Sequence, residues 1–160
     1  MALADQKLAI GWREWVGLPQ IGLPLIKAKV DTGARTSALH AYFIEPYQKD
    51  QTDWIYFGIH PIQNNPKISV ECHAPVFDQR VVRDSGGHEE LRYVIQSLLQ
   101  LGGLSWPIEI TLTNRDNMKF RMLLGRSAMA NRVLIDPAKS YLSGRNTRAK
   151  VQKLYLEKPS

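Results

Sequence analysis

The hydrophobic positions of this chain fall mainly into short alternating runs bounded by Gly, Pro, Asn and Asp, the pattern of β-strands. Leu8 to Val16 reads as a first strand, ended by Gly17-Leu18-Pro19. Leu23 to Val30 reads as a second, with Ile26, Ala28 and Val30 on one face and Lys27 and Lys29 on the other. Thr36 to Phe43 forms a third. Between Ile44 and Pro66 the chain is rich in Pro, Asn, Gln and Asp, interrupted by a strand over Trp54 to Ile59. Ile68 to Val82 and Leu91 to Leu101 flank Asp84-Ser85-Gly86-Gly87-His88, where paired glycines permit a tight turn, so this region predicts a long hairpin. Ile108 to Thr113 and Phe120 to Leu124 are further strands, joined by the turn-rich Asn114-Arg115-Asp116-Asn117. Gly125 to Asn131 alone has the pattern of a short helix. The plan is all-β, with no internal repeat.

With 160 residues, 44% hydrophobic and 22% charged, the chain suits one soluble domain with a real core. The lone Cys72 has no internal partner for a disulfide, which favours a reducing compartment. No apolar run approaches membrane-spanning length, and Met1 to Ile10 lacks the apolar stretch of a secretory signal. A cytoplasmic protein with no membrane partner is therefore expected. The net charge of +6 and pI near 9.5 suit attraction to nucleic acid, anionic membrane or acidic protein, or else an ordinary solvated basic surface. That charge is concentrated at the end, where Arg145, Arg148, Lys150, Lys153 and Lys158 face only Glu157. This tail reads either as a dock for ribosomal RNA or as a disordered extension.

The chemistry is concentrated in two short stretches. Asp31-Thr32-Gly33-Ala34 follows the second strand, and Met122-Leu123-Leu124-Gly125-Arg126 comes late in the chain. This ordered pair, an Asp-Thr-Gly-Ala turn and then two apolar residues, Gly and Arg before a short helix, resembles the retropepsin-like aspartic proteases. Gly11-Trp12-Arg13-Glu14, Lys27 to His40 and Leu124 to Met129 bring the resemblance to one bacterial branch, whose members carry the label "ATP-dependent zinc protease". Some of these are fused to, or encoded beside, an ATP-grasp ligase that adds glutamates to a ribosomal protein. The resemblance covers residues 8–143. It implies a closed barrel with a flap hairpin and one short helix over residues 1–143, leaving 144–160 as a basic tail.

Aspartic proteolysis needs two carboxylates about one water apart sharing one proton. The ionised one takes a proton from water while the protonated one polarises the peptide carbonyl. Only Asp31 has the Thr-Gly context, so an active enzyme must place it against Asp31 of a second copy, and a homodimer is expected. The resemblance gives Thr32 a hydrogen bond across the dimer axis and lets substrate backbone lie beside Ala34. It has Leu123, Leu124 and Gly125 backing the Asp turn, with Arg126 following. Gly33 allows backbone to approach the carboxylate closely. Gly86 and Gly87 become the flap tip. The spacing from Asp31 to that tip is longer than in retroviral enzymes, placing an insertion within residues 44–70.

One departure changes the substrate expectation. Retroviral enzymes have acidic residues directly after Asp-Thr-Gly-Ala, where this chain has Arg35 and Thr36. Arg35 and Arg126 would make the subsites basic, and guanidinium forks bind carboxylates in bidentate fashion. An acidic or glutamate-rich peptide is the expected substrate, against a plain surface role for Arg35. The zinc label finds no motif: His88-Glu89-Glu90-Leu91-Arg92 has Arg92 where H-E-x-x-H needs its second histidine. Cys72, His73, His40 and His60 have no metal-ligand spacing, and no phosphate-binding loop is present, so no cofactor is expected. The alternative function is a non-catalytic module of the same fold that holds an acidic or ribosomal partner.

Overall fold

Alternation along the strands decides which side chains point inward, and the inward set defines the barrel. The computed structural model describes residues 6–83, 86–114 and 119–156. Twelve strands are found among them: β1 (Leu8–Ile10), β2 (Arg13–Leu18), β3 (Leu23–Val30), β4 (Ser37–Ala41), β5 (Phe43–Lys49), β6 (Thr52–Ile59), β7 (Val70–Pro75), β8 (Asp78–Arg83), β9 (Glu89–Leu101), β10 (Leu104–Asn114), β11 (Met122–Leu124) and β12 (Val133–Ile135). Two α-helices accompany them, α1 (Arg126–Met129) and α2 (Arg148–Leu156), with a short 3-10 turn at Pro19–Ile21.

Six strands close into a barrel in the order β10, β4, β11, β3, β2, β9 and back to β10. Ile26 and Ala28 of β3, Leu39 of β4, Ile95 and Leu99 of β9, Ile108, Ile110 and Leu112 of β10, and Met122 and Leu124 of β11 fill its interior. Gly102 and Gly103, both at positive φ, turn β9 directly into β10. Closure is uneven: β9 runs beside β10 from Val94 to Leu101, but β2 meets β9 in register only at Gly17 and Gln100. β11 is inserted between β3, which it follows in parallel, and β4, which it opposes. The two strands that flank the Asp turn in sequence are thus held apart by the strand carrying Leu123 and Leu124.

The predicted hairpin is present as β8 and β9, antiparallel from Asp78↔Val94 to Arg83↔Glu89. Arg83 pairs with Glu89 across it, and Arg80 reaches Glu109 of β10 at 2.6 Å. Asp84, Ser85 and residues 115–117 of the predicted turns lie outside the described residues. Residues 43–75, which include the predicted insertion, form a separate antiparallel sheet, β5-β6-β7. Its inner face supplies Ile55, Phe57, Ile59, Cys72 and Ala74 to the core.

Three sequence expectations are corrected. The first strand breaks at Gly11 and Trp12, and β1 pairs in parallel with β12 instead of joining the barrel. The long strand over residues 68–82 breaks between Pro75 and Asp78 into β7 and β8, in different sheets. Within the basic tail, residues 148–156 are neither loose nor extended but form α2. Val151 and Tyr155, four residues apart and so on one helical face, are buried against the barrel. The Tyr155 hydroxyl donates to the Leu25 carbonyl of β3. No helix among the described residues is long and apolar enough to cross a membrane.

Candidate active site

β3 delivers Asp31 to the end of the barrel, and the turn after it is built almost wholly from backbone hydrogen bonds. The Asp31 amide donates to the Leu124 carbonyl at 2.9 Å, fixing the Asp turn to the end of β11. The Gly33 amide donates to Asp31 Oδ1 at 3.0 Å, and the Ala34 amide to the Asp31 carbonyl at 3.2 Å. A side chain at residue 33 would begin 3.2 Å from that same Oδ1, so glycine keeps the approach uncrowded. Asp31 is half-buried, while Thr32 and Gly33 are exposed.

The late motif locks onto the far side of this turn. The Arg126 amide donates to the Ala34 carbonyl at 2.8 Å and the Ser127 amide to the Arg35 carbonyl at 2.9 Å. Arg126 Nη1 donates to the Thr32 carbonyl at 2.8 Å. Gly125 is required by contact: a Cβ there would stand 2.5 Å from the Thr36 carbonyl carbon. Its amide donates to the buried Ser37 Oγ at 3.0 Å, and Thr111 Oγ1 donates to the Ser37 carbonyl at 3.1 Å. Thr111, Ser37 and Gly125 therefore brace the turn from within the barrel wall. The sequence reading gave Ser37 no role. A serine at the start of a strand carries no local sign of a partner in the distant 125 turn.

A second brace holds the entry to Asp31. Val30 donates its amide to the Trp12 carbonyl at 2.8 Å, and Trp12 donates its own to the Lys139 carbonyl at 2.9 Å. Glu14 is fully buried and accepts from three amides, Gly11 at 2.7 Å, Leu142 at 2.8 Å and Ser143 at 3.0 Å. Arg13 lies over the rings of Trp12 and Tyr141 at 4.5 and 4.9 Å. Gly11-Trp12-Arg13-Glu14 is thus a clasp that joins the barrel entry to residues 139–143.

Asp31, Thr32, Gly33, Ala34, Leu124, Gly125 and Arg126 come together at one end of the barrel. Leu123, half-buried, is opposite Lys29 and Ala38 in the ladders of β11. Arg35 is exposed and forms no ion pair with another described residue; Thr36 is half-buried beneath Gly125. Gly86 and Gly87 stand exposed in the β8–β9 turn, with φ +84° at Gly87 and open space around it. Among the described residues, no three His, Cys, Asp or Glu side chains are grouped to hold a metal. His60 stacks on Tyr42, and His73 sits on the outer face of β7 between Tyr47 and Tyr56.

Comparison with known proteins agrees with this architecture. A Legionella pneumophila protein of unknown function, known from its crystal structure, superposes with a TM-score of 0.71 over 86% of this chain and 99% of its own, at 24% identity. That likeness concerns the fold. Proteins named probable alpha-L-glutamate ligase are closer in sequence: one from Shewanella halifaxensis is 48% identical over 96% of this chain, and one from Parasynechococcus marenigrum 50% over 94%. This chain spans about a third of the length of those relatives, 33% and 32% respectively. A family model described as RimB-like, retropepsin-like aspartic endopeptidase RimB, matches residues 9–146. The Asp31 turn, its support by the 122–126 strand and turn, and this match over most of the chain agree: the chain belongs to the RimB-like family of retropepsin-like proteins.

Proposed function

We propose that this protein is an aspartic endopeptidase active as a homodimer, in which Asp31 of two copies forms the catalytic pair. The observation that carries the proposal is the Asp31 turn: one carboxylate that accepts from the Gly33 amide, on a residue whose own amide donates to the Leu124 carbonyl, at an exposed rim. A single such carboxylate is half of the chemistry, and two-fold symmetry supplies the other half. One Asp31, ionised, takes a proton from water as the water oxygen attacks the scissile carbonyl. The other, protonated, donates to the carbonyl oxygen, and protonation of the amine then releases it. The β8–β9 hairpin acts as the flap, with Gly86 and Gly87 over the substrate backbone. Val81 and Leu91, exposed on this hairpin, supply apolar surface for closure.

Arg35, exposed and without an ion pair to a described residue, and Arg126 favour an acidic peptide beside Ala34 and Thr36. The relatives' ligase name fits a glutamate-rich substrate, with ligation assigned to the two-thirds of their length outside the matched region. A ribosomal protein tail in the cytoplasm is the corresponding target. The second reading is a non-catalytic holder of the same acidic partner, and it is favoured if the chain stays monomeric. The test incubates purified protein with glutamate-tailed and untailed substrate beside Asp31→Asn, over a range of enzyme concentrations. The proposal expects tail cleavage that Asp31→Asn abolishes and a specific activity that falls on dilution below the dimer's dissociation constant. Tail binding without cleavage by the native chain would favour the holder.

A further inference from the structure

A separate cationic cavity lies on the outer wall of the barrel, where α2 covers β3. Its volume is about 120 Å³, and every charged side chain that lines it among the described residues is a cation: Lys27 of β3, Arg121 just before β11, and Arg148 at the start of α2. Trp15 forms one wall, with Lys27 Nζ 5.3 Å from its ring centre. Gln63 forms another, its Oε1 3.5 Å from Lys27 Nζ, while its buried Nε2 has no acceptor. Arg121 is itself buried. Burial, followed by the nearby charges of Arg13, Lys119 and Arg148, lowers the Lys27 pKa. Lys27 and Arg148 oppose each other's charge beside a buried amide donor, a cost that an anion between them relieves.

We propose that this cavity binds a compact, multiply charged oxyanion of the phosphate type. Several cations around one small space favour more than one negative charge, which a lone carboxylate does not supply. Lys27 and Arg148 contribute charge-assisted hydrogen bonds, and Gln63 a neutral donor. Lys27 precedes Asp31 by four residues of extended chain, about 13 Å, so the site is distinct from the Asp31 turn. Because one wall is β3 and the other α2, a bound oxyanion fastens the C-terminal helix to the strand that leads to Asp31.

The test titrates the full chain at fixed ionic strength with inorganic phosphate, with a ribonucleoside 5′-monophosphate and with triglutamate, following heat of binding and melting temperature. Saturable one-to-one binding of phosphate is expected, weakened at least about ten-fold by Lys27→Gln and by Arg148→Gln, each of which removes a charge-assisted bond. Lys150→Gln, which removes a cation of α2 that does not line the cavity, should leave the affinity unchanged. Lys27→Gln should also melt no lower than the native chain without phosphate, because it relieves like-charge crowding. Tighter binding of the nucleotide than of phosphate would identify a nucleotide as the source, and equal binding free phosphate. No saturable phosphate binding, equal weakening by Lys150→Gln, or binding of triglutamate alone would overturn the proposal.

Discussion

At the scale of single residues, the least conspicuous side chains do most to hold the candidate site. Glu14 is a fully buried carboxylate whose oxygens accept three converging amides. Glu14→Gln keeps its shape but removes the charge and turns an NH2 group toward donors. We expect a loss of about 2–3 kcal/mol, read as a lower urea midpoint with an unchanged slope. A midpoint shift worth under about 0.5 kcal/mol, the size of an ordinary surface change, would mean that the clasp is incidental. Ser37→Ala strands the buried Gly125 amide at a cost of about 1–3 kcal/mol. Ser37→Thr should recover part of that stability, which separates the hydrogen bond from the packing. The family resemblance singled out Asp31, Gly33 and Gly125 because each lies in a short contiguous motif, and the structure brings the three together at one turn. Ser37, and Glu14 in its bonds from Leu142 and Ser143, act through partners distant in the chain, and alternation alone shows neither.

Elements were legible in proportion to how regularly they alternate. β3, β6 and β9 follow the sequence pattern closely, and α1 sits within the predicted helix. α2 was not legible, because its buried side comprises only Val151 and Tyr155 among cationic neighbours. Lys27 likewise reads as a solvent-facing residue of β3 until α2 is laid over it. Tyr155 gives α2 a pH signature. Burial raises its phenol pKa well above the usual value near 10. The folded state therefore holds this proton more tightly than the unfolded chain does. The associated stability is complete below about pH 10 and is lost as pH rises from there toward the folded-state pKa. Tyr155→Phe should reduce stability at neutral pH by about 1 kcal/mol and flatten the alkaline decline above pH 10. An identical alkaline decline in both proteins, followed by melting temperature, would place its cause elsewhere.

For the molecule as a whole, the strand pattern gave an all-β plan and the resemblance carried by the paired motifs implied the closed barrel, while its strand order and the separate β5-β6-β7 sheet were not legible. Strand order is set by non-local pairings such as β4 beside β10, which leave no periodic trace. A closed barrel has no edges, but this one meets across β2 and β9 only at Gly17 and Gln100. Parting at that seam would turn the ring into an open sheet with two bare strands, each a template for the backbone of another chain. Amides flanking the seam in β2 and β9 should accordingly exchange with solvent by local opening faster than those of the β9–β10 ladder. Uniform exchange across both would mean that the ring opens only on global unfolding. Gly17 also fixes how tightly the seam can close: a Cβ there would meet the Pro24 carbonyl oxygen at 2.9 Å and Gln100 Oε1 at 3.1 Å. The same narrow joint that completes the ring is thus, once parted, a new edge at which concentrated protein can aggregate.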